Sequence, residues 1–156
     1  MTVSLPDNPG VIAKPPSLFM AALASGFALE WIAATSFVRG ASRFALGAAL
    51  LGAGVWLMSA AMRQQRRAGT NIETDRPTES IVTDGPYRWS RNPIYIALVL
   101  VYLSVAVLGD SLWVLGLLVP LLVVMRFGVI AREEAYLERK FGDVYRSYRA
   151  SVRRWL

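Results

Sequence analysis

The chain of 156 residues contains no cysteine and no histidine. The first absence excludes disulfides, thiol nucleophiles and cysteine metal sites. The second removes imidazole acid–base chemistry and most zinc and haem arrangements, so carboxylates, tyrosines and arginines are the polar tools and no metal is expected. Acidic residues are also scarce, 11 against 17 Lys and Arg, for a net charge of +6. In a soluble protein that balance would raise the question of nucleic acid, but here the positive charge flanks apolar runs and no nucleic-acid partner is expected. The N-terminus has no basic cluster ahead of an apolar core. No cleavable signal is expected, and the first apolar run would serve as its own insertion signal.

What the chain has in excess is hydrophobicity, 54% of its residues, too much for an ordinary soluble domain of this length. The expectation is a single all-α domain, an integral membrane bundle of four transmembrane helices at about 18–38, 44–62, 94–109 and 112–130. A polar insert covers 63–93, and a tail with amphipathic helices covers 131–156. Gly47, Gly52 and Gly54 in the second run would let a neighbouring helix approach closely, and Pro120 would kink the fourth. Fifteen of the seventeen Lys and Arg lie in the N-terminal lead-in, the insert and the segment from Arg126 onward. By the positive-inside tendency all three face the cytoplasm, in a membrane of the bacterial inner type.

Two polar regions carry the chemistry. Thr83 to Tyr95 reads TDGPYRWSRNPIY, in which Asp84-Gly85-Pro86 is turn chemistry and Asn92-Pro93 opens an apolar helix. The turn puts Arg88, Arg91, aromatic rings and free backbone groups at the mouth of a bundle, suited to an anionic or mixed polar and aromatic ligand; lipid phosphates and an interfacial aromatic belt are the plainer use. The tail, from Arg132, reads REEAYLERKFGDVYRSYRASVRRWL. Its apolar residues recur every three or four positions, and Gly142 divides it into two short helices. Contact with lipid would explain its arginines, but not adjacent Glu133 and Glu134. Trp89 and Trp155 read as interface anchors and Asp110 as a turn residue. Glu30, about twelve residues into the first run, is costly there unless paired or wet. It would line an acceptor pocket or meet an arginine of the short turn.

GPYRWSRNPIY, a hydrophobic hairpin and REEAYLERKFGDVYRSY together resemble the isoprenylcysteine carboxyl methyltransferase family, part of a wider group of small membrane methyltransferases that includes phospholipid methyltransferases. The resemblance covers roughly residues 69–156. It implies S-adenosylmethionine bound at the cytoplasmic side between loop and tail, with a lipophilic or lipid acceptor arriving from the surrounding membrane lipids. The cofactor-binding residues it implies are Gly85, Pro86, Tyr87, Arg91, Asn92, Pro93 and Tyr95 of the loop with Glu133, Glu134, Tyr145 and Tyr148 of the tail. Arg91 and Glu134 are the catalytic candidates. Asn92 stands where the family commonly has histidine, and it cannot titrate.

Glu133 or Glu134 would pair with the cofactor's ammonium and Arg91 with its carboxylate, while Tyr87 or Tyr145 would face the adenine or sulfonium. A carboxylate acceptor would be positioned by Arg88 or Arg91; an amine or thiol would need a carboxylate or Tyr to take its proton. Two rival readings are a small transporter using Glu30 and a membrane reductase that binds NADPH through Arg63, Arg66 and Arg67. A lipid-anchored scaffold without catalysis is a third.

Overall fold

The computed structural model describes residues 7–38, 40–71 and 76–156, and among them all regular structure is helical. The order is α1 (Pro15–Ile32), α2 (Ser42–Arg67), a 3₁₀ turn (Gly85–Arg88), α3 (Pro93–Leu108), α4 (Leu112–Val124), a π-helical turn (Met125–Ile130), α5 (Ala131–Phe141) and α6 (Asp143–Ser151). Two helical stretches are long and apolar enough to cross a membrane, Ser42–Arg67 and the continuous run Leu112–Phe141; α3 is a shorter apolar helix.

The starts and stops follow local chemistry. Proline opens α1 and α3 within their first two positions, where a missing N–H costs nothing. Gly142, at φ 52°, separates α5 from α6 as expected. Two boundaries differ from the expectation. The first helix stops at Ile32, because Glu30 turns its carboxylate onto the N–H and hydroxyl of Thr35 and Trp113 Nε1 donates to the Ala33 carbonyl. The second runs past residue 62 to Arg67, since Arg63, Gln64, Gln65, Arg66 and Arg67 are all good helix formers. The irregular insert therefore begins at residue 68. The chain stays helical through residue 131, so the expected tail grows directly out of the fourth helix, which contains Pro120.

Helix α2 packs along α3, and α1 packs along α4. Gly47 and Gly54 face α3: a methyl group built on Gly54 would sit 2.9 Å from Val101 Cγ2 and one on Gly47 2.5 Å from Leu108. Gly52 faces open space and plays no part in that approach. Phe19, Tyr95, Tyr102, Val114, Leu121 and Met125 form the core, with Phe19 edge-on to Tyr102 at 5.9 Å. Large apolar side chains remain on the outside, among them Trp31, Trp56, Val119 and Phe127. That outer surface suits hydrocarbon rather than water.

At one end of the bundle the α3–α4 turn is clasped. Asp110, at φ 49°, accepts from Ser36 Oγ and from the backbone N–H groups of Phe37 and Val38, and Ser111 Oγ donates to Glu30. Asp110 is thus more than a turn residue. Among the described residues Glu30 finds hydroxyl and amide partners rather than an acceptor pocket or Arg43, while Arg39 of the short turn lies outside them.

Candidate functional site

The other end of the bundle is assembled from four sequence-distant pieces. Gly85, at φ 60°, lies against Gln64, where a methyl group would fall 2.7 Å from its Nε2; only glycine suits both the backbone and the space. The 3₁₀ turn that follows buries Pro86 and Tyr87. Tyr148 of α6 donates to the Tyr87 carbonyl at 2.8 Å, fastening the tail onto the turn. The segment after α6 then runs beside residues 90–92. Arg91 N–H donates to the Arg153 carbonyl, while Ser90 Oγ and Asn92 Nδ2 both donate to that of Arg154. Asn92 thereby holds the C-terminal segment in place, a task for a donor that need not titrate.

Between these pieces lies a cavity of about 350 Å³, inside the range of ordinary small-molecule sites of roughly 300–1,000 Å³. Tyr87, Arg91, Asn92, Pro93, Tyr95, Glu133, Glu134, Tyr145 and Tyr148 all line it. Gly85 and Pro86 do not; they shape the turn behind it. Arg88 is exposed and also lies outside. One wall is apolar, with Met58 and Met62 from α2 and Ile94 and Leu98 from α3. Pro9, Lys14 and Pro15 close the side nearest the N-terminus.

The charges are ordered. Arg91 Nη1 lies 3.1 Å from Glu134 Oε1 and 3.2 Å from the Tyr145 hydroxyl. Arg154 takes the same carboxylate with two parallel bonds, Nε to Oε1 at 2.9 Å and Nη2 to Oε2 at 2.6 Å. Such forked pairs are the strong geometry for arginine and carboxylate. The bond to Glu134 raises Arg154 above its ordinary pKa, so two cations share one anion and the cluster is net positive. Glu133 is different: it accepts from the Tyr95 hydroxyl at 2.6 Å and has no ion pair among the described residues. Burial pushes the Tyr87, Tyr145 and Tyr148 hydroxyls up, so these rings stay neutral.

Three buried polar atoms lack a partner among the described residues: Arg91 Nε, the Tyr87 hydroxyl and Gln65 Oε1. All three belong to residues lining the cavity. Buried polar groups are nearly always paired, so three orphans on residues around one cavity set this end of the bundle apart.

Sequence reasoning missed Arg154, Gln65 and Tyr136. Tyr136 lines the cavity and joins Asp7 to Thr78: its hydroxyl donates to the Asp7 carboxylate and accepts from the Thr78 N–H. Tyr136 stands inside the quoted tail motif without having been singled out there, and nothing local pointed to Arg154. Trp155, expected as an interface anchor, is half-buried against the core and lines an apolar groove with Ile96, Val99, Leu100 and Leu122. Trp89 is 66% exposed, as an anchor requires.

Apolar helices around a polar pocket at one end define a small helical membrane protein. The chain belongs to the phospholipid methyltransferase family, whose model matches residues 42–144. It is accordingly a membrane methyltransferase, consistent with the resemblance drawn from its two motifs. It is also similar to a protein of Haemophilus influenzae named "Uncharacterized protein", 52% identical over 64 residues that make up 40% of this chain and all of that relative. No solved structure matches it.

Proposed function

We propose that this protein uses S-adenosylmethionine to methylate a hydrophobic or lipid-like acceptor, as isoprenylcysteine carboxyl methyltransferases do. The observation that carries this reading is the cavity between the Arg91 turn and the start of α5, with three orphaned polar atoms on its lining residues. The donor set fits the molecule. Glu133, without a cation of its own, suits an ammonium; the open edge of Arg91 suits a carboxylate; and the neutral rings of Tyr87, Tyr145 and Tyr148 suit an adenine or a sulfonium. Geometry favours Glu133 over Glu134 for the ammonium, because Glu134 is already held by two guanidiniums. Glu134 acts instead on Arg91, fixing its orientation.

The cofactor supplies a methyl group activated by positive sulfur. The chain contributes alignment and dryness, which suffice for an in-line displacement that discharges a cation. The apolar wall of Met58, Met62, Ile94 and Leu98 would hold the hydrophobic part of the acceptor. A carboxylate acceptor is nucleophilic as it stands and would be oriented by Arg91. An amine or thiol would need a carboxylate or tyrosine to take its proton. The pocket end carries most of the Lys and Arg, which supports a cytoplasmic orientation.

The rival readings fit less well. Glu30 is engaged by Thr35 and Ser111 and does not line the cavity, unlike a transporter's binding carboxylate. Arg63, Arg66 and Arg67 are exposed and outside the cavity, which leaves a dinucleotide without its additional phosphate site. The test is calorimetric titration of S-adenosylmethionine into detergent-purified protein, followed by methyl transfer from labelled donor to a lipid extract and identification of the product. Saturable binding and a labelled lipophilic product are expected. Tight binding of NADPH with none of S-adenosylmethionine would overturn the proposal.

A further inference from the structure

The family match ends at residue 144, yet Arg154, beyond it, makes the strongest contact that Glu134 has. Its side chain does not line the cavity, so it acts through another residue. We infer that Arg154 is a positioning residue: by occupying both oxygens of Glu134 it leaves the guanidinium of Arg91 free to receive the anionic end of the ligand. This rests on the methyltransferase reading and names the residue that keeps its pocket open.

Arg91 touches Glu134 through Nη1 alone, at 3.1 Å, and its buried Nε has no partner among the described residues. A carboxylate that is only about one-tenth exposed cannot stay without a close countercharge. Were the Arg154 guanidinium absent, the nearest cation would be Arg91, which would turn to form a forked pair of its own. That rotation would direct the donors of Arg91 away from the cavity, and the lost guanidinium would itself leave the cluster neutral instead of net positive. The Arg153 and Arg154 carbonyls, which accept from Arg91, Ser90 and Asn92, would survive truncation of the Arg154 side chain. The C-terminal segment therefore stays docked, and the substitution isolates the guanidinium.

The experiment measures S-adenosylmethionine affinity by calorimetry, and donor KM and kcat with the lipid-extract assay, for wild type, Arg154→Ala, Arg154→Lys and the double variant Arg154→Ala/Glu134→Gln. Arg154→Ala is expected to raise donor Kd and KM about tenfold while kcat at saturating donor stays within about twofold, the loss of one charge-assisted contact at the anion site. Arg154→Lys, which keeps the charge but not the fork, falls between. The double variant binds more tightly than Arg154→Ala alone, because a neutral amide no longer draws Arg91 away. Unchanged affinity in Arg154→Ala, or a double variant weaker than the single one, overturns the inference. If Arg154→Ala does not fold, Arg154→Lys decides: wild-type affinity there overturns it, and an intermediate affinity supports it. Wild-type protein that binds no S-adenosylmethionine would instead remove the methyltransferase reading itself, so the two failures are distinct.

Discussion

Tyr95, in the first turn of α3, donates its hydroxyl to Glu133 of α5 at 2.6 Å. That bond is the only polar hold on Glu133 among the described residues and aims the carboxylate across the cavity. Glu133→Gln is expected to weaken S-adenosylmethionine binding more than about tenfold, through loss of a charged partner for the ammonium. Tyr95→Phe removes the aim but keeps the carboxyl group, so a smaller loss of roughly threefold to tenfold follows. Calorimetric titration of both variants checks the order; a larger loss in Tyr95→Phe would contradict it.

Glu134→Ala leaves Arg91 and Arg154 facing each other at the same spot without the anion between them. Breaking a buried pair in this way costs about 3–5 kcal/mol, toward the lower end here because Arg154 is 27% exposed. Denaturation in detergent should show a marked drop in unfolding midpoint. Glu138→Ala, which removes a half-exposed partner of Arg149, should shift it little.

The α2–α3 contact predicts opposite outcomes at two glycines two residues apart. Gly54→Ala would press a methyl group to 2.9 Å from Val101 Cγ2 and 3.1 Å from the Ala97 carbonyl, so destabilisation of about 1–3 kcal/mol is expected. Gly52→Ala meets open space and gains roughly 0.5–1 kcal/mol of helix propensity. Unfolding midpoints of the two variants, measured side by side, should move in opposite directions.

Asp110 supplies a pH dependence outside the membrane-spanning segments. The hydroxyl of Ser36, then the N–H groups of Val38 and Phe37, and last Arg43 hold its carboxyl down at about 2. A carboxyl depressed in the folded state contributes fully above its unfolded pKa of about 3.9 and loses that contribution as pH falls through the folded value. Stability should therefore decline between about pH 4 and pH 2. Asp110→Asn should flatten that limb while lowering stability at neutral pH, and an unchanged acid limb would exclude the assignment.

Glu30 belongs to the same clasp, near the far end of α1 from Pro15, which lines the cavity. At 1.5 Å per residue, the two stand roughly 22 Å apart along the helix. Glu30→Gln should lower the unfolding midpoint and leave S-adenosylmethionine affinity within about twofold of wild type. A large loss of affinity would mean that the two ends of the bundle are coupled.

Much of this architecture was legible in the chain. Pro93 ahead of an apolar run marks the start of α3, and Gly142 inside an amphipathic pattern marks the α5–α6 break, because both residues act on the backbone where they stand. The end of α1 was not legible: residues 33–38 continue an apolar run, and what stops the helix is Glu30 and Trp113 reaching nearby backbone. The length of α2 is hidden for a related reason: residues 63–67 are polar, as a loop would be, although those residue types favour helix. In the site, the two motifs were readable as partners through their resemblance to a known family. Gln65, Tyr136 and Arg154 were not, because tertiary packing alone brings Gln65 and Tyr136 to the cavity wall and Arg154 onto Glu134.

The sequence by itself determined that the chain forms apolar helices, that prolines and glycines set several of their limits, and that no imidazole or thiol among these residues takes part in its chemistry. These properties belong to residue types and their immediate neighbours. Only the tertiary structure decided that Glu134 is shared by two arginines while Glu133 keeps no cation among the described residues. Adjacent carboxylates on one helix look alike in sequence; their roles separate because they point in different directions, and pairing energy depends on distance and burial in space.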